Sequence, residues 1–136
     1  MSTKIFVNLP VRDLGKSIDF FTKIGFSVNP QFTDENAACV VISDDIYAML
    51  LVEKFFQSFT SKDIVDAAKS TEAILALGLD SRDQVDELVD KALAAGGQPG
   101  HFTNDDGFMY GRSFQDLDGH LWEALYMDPA AVPEQA

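Results

Sequence analysis

Apolar and polar positions along the chain follow two periods, and the places where they switch divide it into elements. Residues 3–11, TKIFVNLPV, are extended by composition, and Pro10, which has no N–H to give a ladder, fits only near the end of such a strand. Asp13 is a good N-cap, and LGKSIDFFTKIG then sets Leu14, Ile18, Phe21 and Ile24 at helical spacing before stopping at Gly25. FSVNPQF, NAACVVIS and IYAMLLVE follow as β-branched and aromatic runs parted by the turn-forming DEN and SDD. The first fifty or so residues therefore predict β-α-β-β-β. Between residues 54 and 69, KFFQSFTSKDIVDAAK has mixed periodicity, which predicts a connector with a turn or two of helix over Ile64, Val65 and Ala68, capped by Thr60 or Ser61. AILALGLDS is a further strand, and SRDQVDELVDKALAAGG puts Val85, Leu88, Val89, Ala92 and Leu93 on one helical face ahead of a Gly-Gly stop. QPGHFT, FMYGRSFQD and HLWEALYM complete a second β-α-β-β-β.

The two halves superpose: Val11-Arg12-Asp13 falls on Leu79-Asp80-Ser81, helix on helix, and Ile46-Tyr47-Ala48-Met49 on His120-Leu121-Trp122-Glu123. This repeat predicts an α+β fold of two tandem units, residues 3–52 and 71–127, joined by a connector at 53–70, within one domain spanning 1–127. The Pro- and Ala-rich residues 128–136 are expected to form a frayed tail.

Composition narrows the partners. The chain has 136 residues, 46% of them hydrophobic, enough for one packed core, and a formal charge of −12 from 22 acidic against 10 basic residues. That field repels phosphate backbones and anionic head groups, so nucleic acid and membrane surfaces are poor partners. No stretch reaches the length of a spanning helix and no secretory leader opens the sequence, which predicts a cytoplasmic protein. Cys39 is the single cysteine, and in AACVVIS it reads as a small buried side chain rather than a nucleophile.

A duplicated β-α-β-β-β unit, with VRDL opening the first helix, GF closing it, and F-x-D-x-D-G-x-x-x-E over Phe114 to Glu123, resembles the vicinal oxygen chelate superfamily. That group includes glyoxalase I, bleomycin- and fosfomycin-resistance proteins and extradiol dioxygenases. The resemblance implies that each unit curls its sheet into half of a cup, that a metal, where there is one, is held from the first and last strands of both units, and that the chain forms a homodimer. It also implies four ligand positions. Glu123, four residues after Gly119, keeps one of them. The others fall on Phe6, Met49 and Ile74, none of which gives a hard cation a suitable donor. A two-residue slip of the alignment, the smallest that keeps each side chain on its face, gathers Asn8, Glu72 and Glu123 as an oxygen-rich set suited to Mg²⁺ or Mn²⁺.

Two functions with an open cup follow from these residues, beside a third in which side chains largely fill the cup and a small dimeric domain serves an interaction role. One is a metal-free binding protein of the bleomycin-resistance kind, its cup lined by Phe6, Asn8, Met49, Ile74 and Leu121 and holding an amphipathic small molecule, with Glu123 the lone carboxylate and an acidic surface that suits cationic compounds. The other is a metal-dependent lyase of the lactoylglutathione lyase kind, or a dioxygenase, with Glu123 as ligand and proton shuttle at the non-standard oxygen-rich site. Arg112 answers the anionic group of a ligand if it faces the cup, and an acidic partner such as Asp116 or Glu87 if it faces the helices. Strand alternation parts His120 and Trp122 from Glu123, which assigns the first two to a hydrogen-bonded turn and a packed face, and His101, in a loop-rich stretch, is expected to face solvent and is a weak ligand candidate.

Overall fold

A computed structural model describes residues 3–130, which fall into two compact units divided between Asp66 and Ala67. In the first, β1 (Ile5–Val11), α1 (Leu14–Lys23), β2 (Ser27–Asn29), β3 (Ala37–Val41) and β4 (Ile46–Val52) build a four-stranded sheet in the order β1-β4-β3-β2. In the second, β5 (Ile74–Gly78), α3 (Arg82–Ala94), β6 (Gln98–Asp105), β7 (Met109–Gln115) and β8 (Leu121–Met127) repeat the arrangement in the order β5-β8-β7-β6. The pair containing the opening strand is parallel and the other two pairs are antiparallel in each unit, so both sheets are mixed.

The helices form where the sequence provides caps. The Asp13 side chain accepts from the Lys16 N–H at 3.0 Å, and the Ser81 hydroxyl accepts from the Gln84 N–H at 3.1 Å while the Gln84 side chain returns to accept from the Asp80 N–H at 2.9 Å. α1 buries Ser17, Phe20 and Phe21 against its sheet, where Leu9, Val11, Ala38, Val40, Ala48 and Leu50 are all buried. α3 buries Val85, Leu88, Val89 and Ala92 beside Phe114, Trp122 and Ala124. Burying each of these large side chains contributes roughly 1.5–3 kcal/mol, so the helix-facing sides supply much of the core.

Two local expectations are corrected. The connector's helix is α2 (Glu53–Gln57), directly after β4, and not a turn over Ile64, Val65 and Ala68; Thr60 accepts from the Lys62 N–H and closes a local turn instead. The second strand stops at Asn29, because Pro30 opens a 3-10 turn capped by the Asn29 side chain on the Gln31 N–H. His101 lies within β6, in a stretch where the register shifts between Pro99 and Thr103, and is exposed as expected. Of the tail expected at 128–136, residues 131–136 lie outside the described residues. Cys39 is buried, as expected of a packing residue. Among the described residues no helix is long and apolar enough to cross a membrane.

Candidate functional site

Strand register decides which candidates share a face. In the first unit Phe6 is paired with Tyr47 and Asn8 with Met49, so these four point away from α1, while Leu9, Val11, Ala48 and Leu50 point toward it. Phe6 is 50% exposed and its ring stacks on Tyr47, with centroids 4.7 Å apart and planes 10° from parallel. The Tyr47 hydroxyl donates to the Asp44 carbonyl at 2.7 Å, which fixes the ring, and the Lys4 ammonium lies 5.7 Å from its centroid. Asn8 is exposed and makes only a 3.5 Å contact with the Phe6 carbonyl.

In the second unit Ile74 is paired with Leu121 and Ala76 with Glu123, and across the next strand Ser113 is paired with Glu123. The Glu123 carboxylate therefore stands between Ala76 and Ser113, with Leu121 and Leu125 before and after it, on the face turned away from α3. None of these neighbours has a proton for it. Ala76 has no polar side-chain atom, and the Ser113 hydroxyl is engaged twice, accepting from the Phe102 N–H at 2.9 Å and donating to the Phe102 carbonyl at 3.1 Å. Glu123 is partly buried and makes no side-chain hydrogen bond or ion pair among the described residues.

Phe102 is a lining residue that sequence reasoning missed. Ser113 holds its backbone in the irregular part of β6, and its ring lies over Gly111, where an added Cβ would sit 2.6 Å from the ring and 2.6 Å from Leu125 Cδ2. The signal was present in the small residues Gly111 and Ser113 along one face of β7, which make room for something large to cross.

The turn leading into β8 is built around Asp116, which is 5% exposed. One of its oxygens accepts from the N–H groups of Asp118 and His120, both at 3.0 Å, and the other accepts from Trp122 Nε1–H at 3.1 Å. Burial pushes this carboxyl above its ordinary pKa, against the opposing pull of His120 and of the three hydrogen bonds. Gly119 in the same turn has φ +92°, and a Cβ there would lie 2.8 Å from the Ala67 carbonyl oxygen. Asp116, Asp118 and His120 bring potential ligand atoms within 4.8 Å of one another. With both Asp116 oxygens already accepting, the grouping is a turn lock. Trp122 is buried and its ring lies parallel to that of Phe114 at 6.3 Å, so His120 and Trp122 occupy the turn and the packed face expected of them.

Arg112 faces α3, where its NH1 lies 2.9 Å from Asp86 and 3.0 Å from Asp90. Tyr110 donates to the same Asp86 carboxylate, and this bond, against some desolvation and together with Arg112, holds Asp86 below its ordinary pKa. Of the two orientations open to Arg112, the structure shows the helix-facing one, with Asp86 and Asp90 as partners in place of Asp116 or Glu87.

The donor set does not fit a divalent metal. Phe6, Met49 and Ile74 supply an aromatic ring, a thioether and an alkyl chain at the positions where the resemblance places ligands. The slipped set fares no better within the second unit, because Glu72 precedes β5 and lies four residues before Ala76, the partner of Glu123, or about 13 Å along an extended chain. Asn8 stands on the sheet of the first unit.

Comparison with known proteins gives a consistent picture. A family model described as bleomycin resistance protein-like N-terminal matches residues 3–43. No curated protein matches the chain. Among solved structures, a hypothetical protein from S. aureus is 31% identical, with 93% of this chain and 95% of that one covered and a TM-score of 0.76. A glyoxalase/bleomycin resistance protein/dioxygenase family enzyme from Burkholderia phytofirmans is 15% identical over 93% of this chain and 100% of that one, with a TM-score of 0.76. An antibiotic binding protein from a Streptomyces species is 17% identical over 94% and 98%, with a TM-score of 0.65.

Proposed function

The chain belongs to the vicinal oxygen chelate superfamily, the glyoxalase and bleomycin-resistance proteins, and on that footing we propose that it binds a small, largely apolar molecule without a metal. The observation that carries this reading is the chemistry of the sheet faces turned away from the helices. Phe6 and Ile74, at two ligand positions of the superfamily, are apolar and 50% and 52% exposed, where packing alone would bury them or replace them with polar residues. Each unit offers its own binding residues, Phe6, Asn8 and Met49 in the first and Ile74, Leu121 and Glu123 in the second, and Arg112, held by Asp86 and Asp90, is left out. A molecule of the antibiotic class is favoured, because one structural relative is an antibiotic binding protein. The protein works as a cytoplasmic homodimer in this reading, which light scattering checks.

The test is a melting scan against a library of small aromatic compounds and antibiotics. Binding to the folded state at a hundred times Kd adds about 2.7 kcal/mol, a shift easily resolved. Several aromatic ligands should raise Tm in the wild type and do so less in Phe6→Ala; a library that leaves Tm unmoved counts against the proposal. The metal-dependent lyase or dioxygenase reading retains one supporting observation, the uncommitted carboxylate of Glu123.

A further inference from the structure

We infer that Glu123 is the charge-selecting residue of the second unit's ligand face, and that the molecule bound there carries an ammonium or similar cationic donor on an apolar body. The inference rests on the ligand-binding reading above and adds the class of ligand. A partly buried carboxylate flanked by Ala76, Leu121 and Leu125 loses hydration that the protein does not replace, since Ser113, the one polar side chain directly opposite, is committed to the Phe102 backbone. Nor do nearby cations compensate. In this unit Arg82 is held by Asp105, Lys91 by Glu87, and Arg112 by Asp86 and Asp90, the last on the far side of the sheet, while Lys69, ahead of β5, makes no ion pair with Glu123. A ligand ammonium meets the need in one step, giving a charge-assisted hydrogen bond to an acceptor already stripped of part of its water, while the apolar body covers Ile74 and Leu121. An anionic ligand meets the reverse, a like charge in a chain of net charge −12.

The experiment uses two probes of one shape, 2-naphthylmethylamine, protonated at neutral pH, and neutral 2-naphthalenemethanol, titrated calorimetrically into the full chain and into Glu123→Gln at physiological salt. The wild type should bind the ammonium about tenfold tighter than the alcohol, and Glu123→Gln should bring the two affinities together. If the preference survives in Glu123→Gln, the overall acidic field carries it and the inference falls; if the wild type binds both probes equally, it falls as well, while alcohol binding leaves the ligand-face reading standing. If neither probe binds, both are overturned. A melting shift with Mn²⁺ that Glu123→Gln abolishes also overturns the inference, by making the carboxylate a metal ligand.

Discussion

Asp116→Ala removes the acceptor around which the last turn is folded. Three donors, the N–H groups of Asp118 and His120 and Trp122 Nε1–H, lose their partner in a setting where Asp116 is 5% and Trp122 1% exposed, so water does not readily replace it. At about 1.5 kcal/mol for each hydrogen bond to a charged acceptor the gross loss is roughly 4.5 kcal/mol, and relief from burying a charge offsets part of it, leaving a net cost of about 3 kcal/mol. For 136 residues the unfolding entropy is about 0.29 kcal/mol/K, so Tm should fall by about 10 °C in a calorimetric scan. Because burial raises the native pKa of Asp116, its titration favours the native state at low pH, and that contribution is lost as pH rises through the native value. The stability gap between wild type and Asp116→Ala is therefore larger in mild acid than at neutrality. In a double-mutant cycle with Trp122→Phe, about 1–2 kcal/mol of coupling isolates the indole bond. A loss below about 1 kcal/mol for Asp116→Ala, or no coupling, would refute the turn-lock account.

Other consequences are open to similar tests. Gly119→Ala must adopt φ +92° and place a Cβ 2.8 Å from the Ala67 carbonyl oxygen, so urea unfolding should show a loss of about 2 kcal/mol or more, whereas Gly78→Ala, with open space at its Cβ, should cost under about 1 kcal/mol. Asp86 has its pKa lowered, so its contribution is present above the ordinary carboxylate value of 3.8 and lost as pH falls below it; Asp86→Asn should flatten the acid limb of the stability curve, by under about 1 kcal/mol since the side chain is 46% exposed. Phe6→Ala removes a half-exposed ring, so Tm should change by only a few degrees while aromatic ligands lose affinity several-fold by calorimetry.

Much of the fold was legible because its signals are local. Asp13 and Ser81 cap the helices the apolar spacing predicts, and the repeat placed Phe6 with Ile74 and Met49 with Glu123 in the correspondence the strand register shows. Signals that depend on contacts distant in sequence were lost. Alternation left both faces open to Arg112, and it could not tell that Asp86 and Asp90, one turn apart on α3, would reach its guanidinium when Glu87 does not. The irregular crossing of Phe102 over Gly111 depends on a hydroxyl eleven residues away, and the helix after β4 begins at Glu53 without a side-chain cap to announce it. For the site, the sequence identified Glu123 as the retained ligand position. That its strand neighbours offer it no donor is visible only once register is known.

The most direct test of metal-free ligand binding is elemental analysis of the purified protein combined with melting scans in Ni²⁺, Zn²⁺, Mn²⁺ and Mg²⁺, on wild type and Glu123→Gln. With Phe6, Met49 and Ile74 at ligand positions, the protein should contain no stoichiometric metal and none of the four ions should raise Tm in either form. One tightly held ion per chain, lost with its Tm shift in Glu123→Gln, would contradict the account.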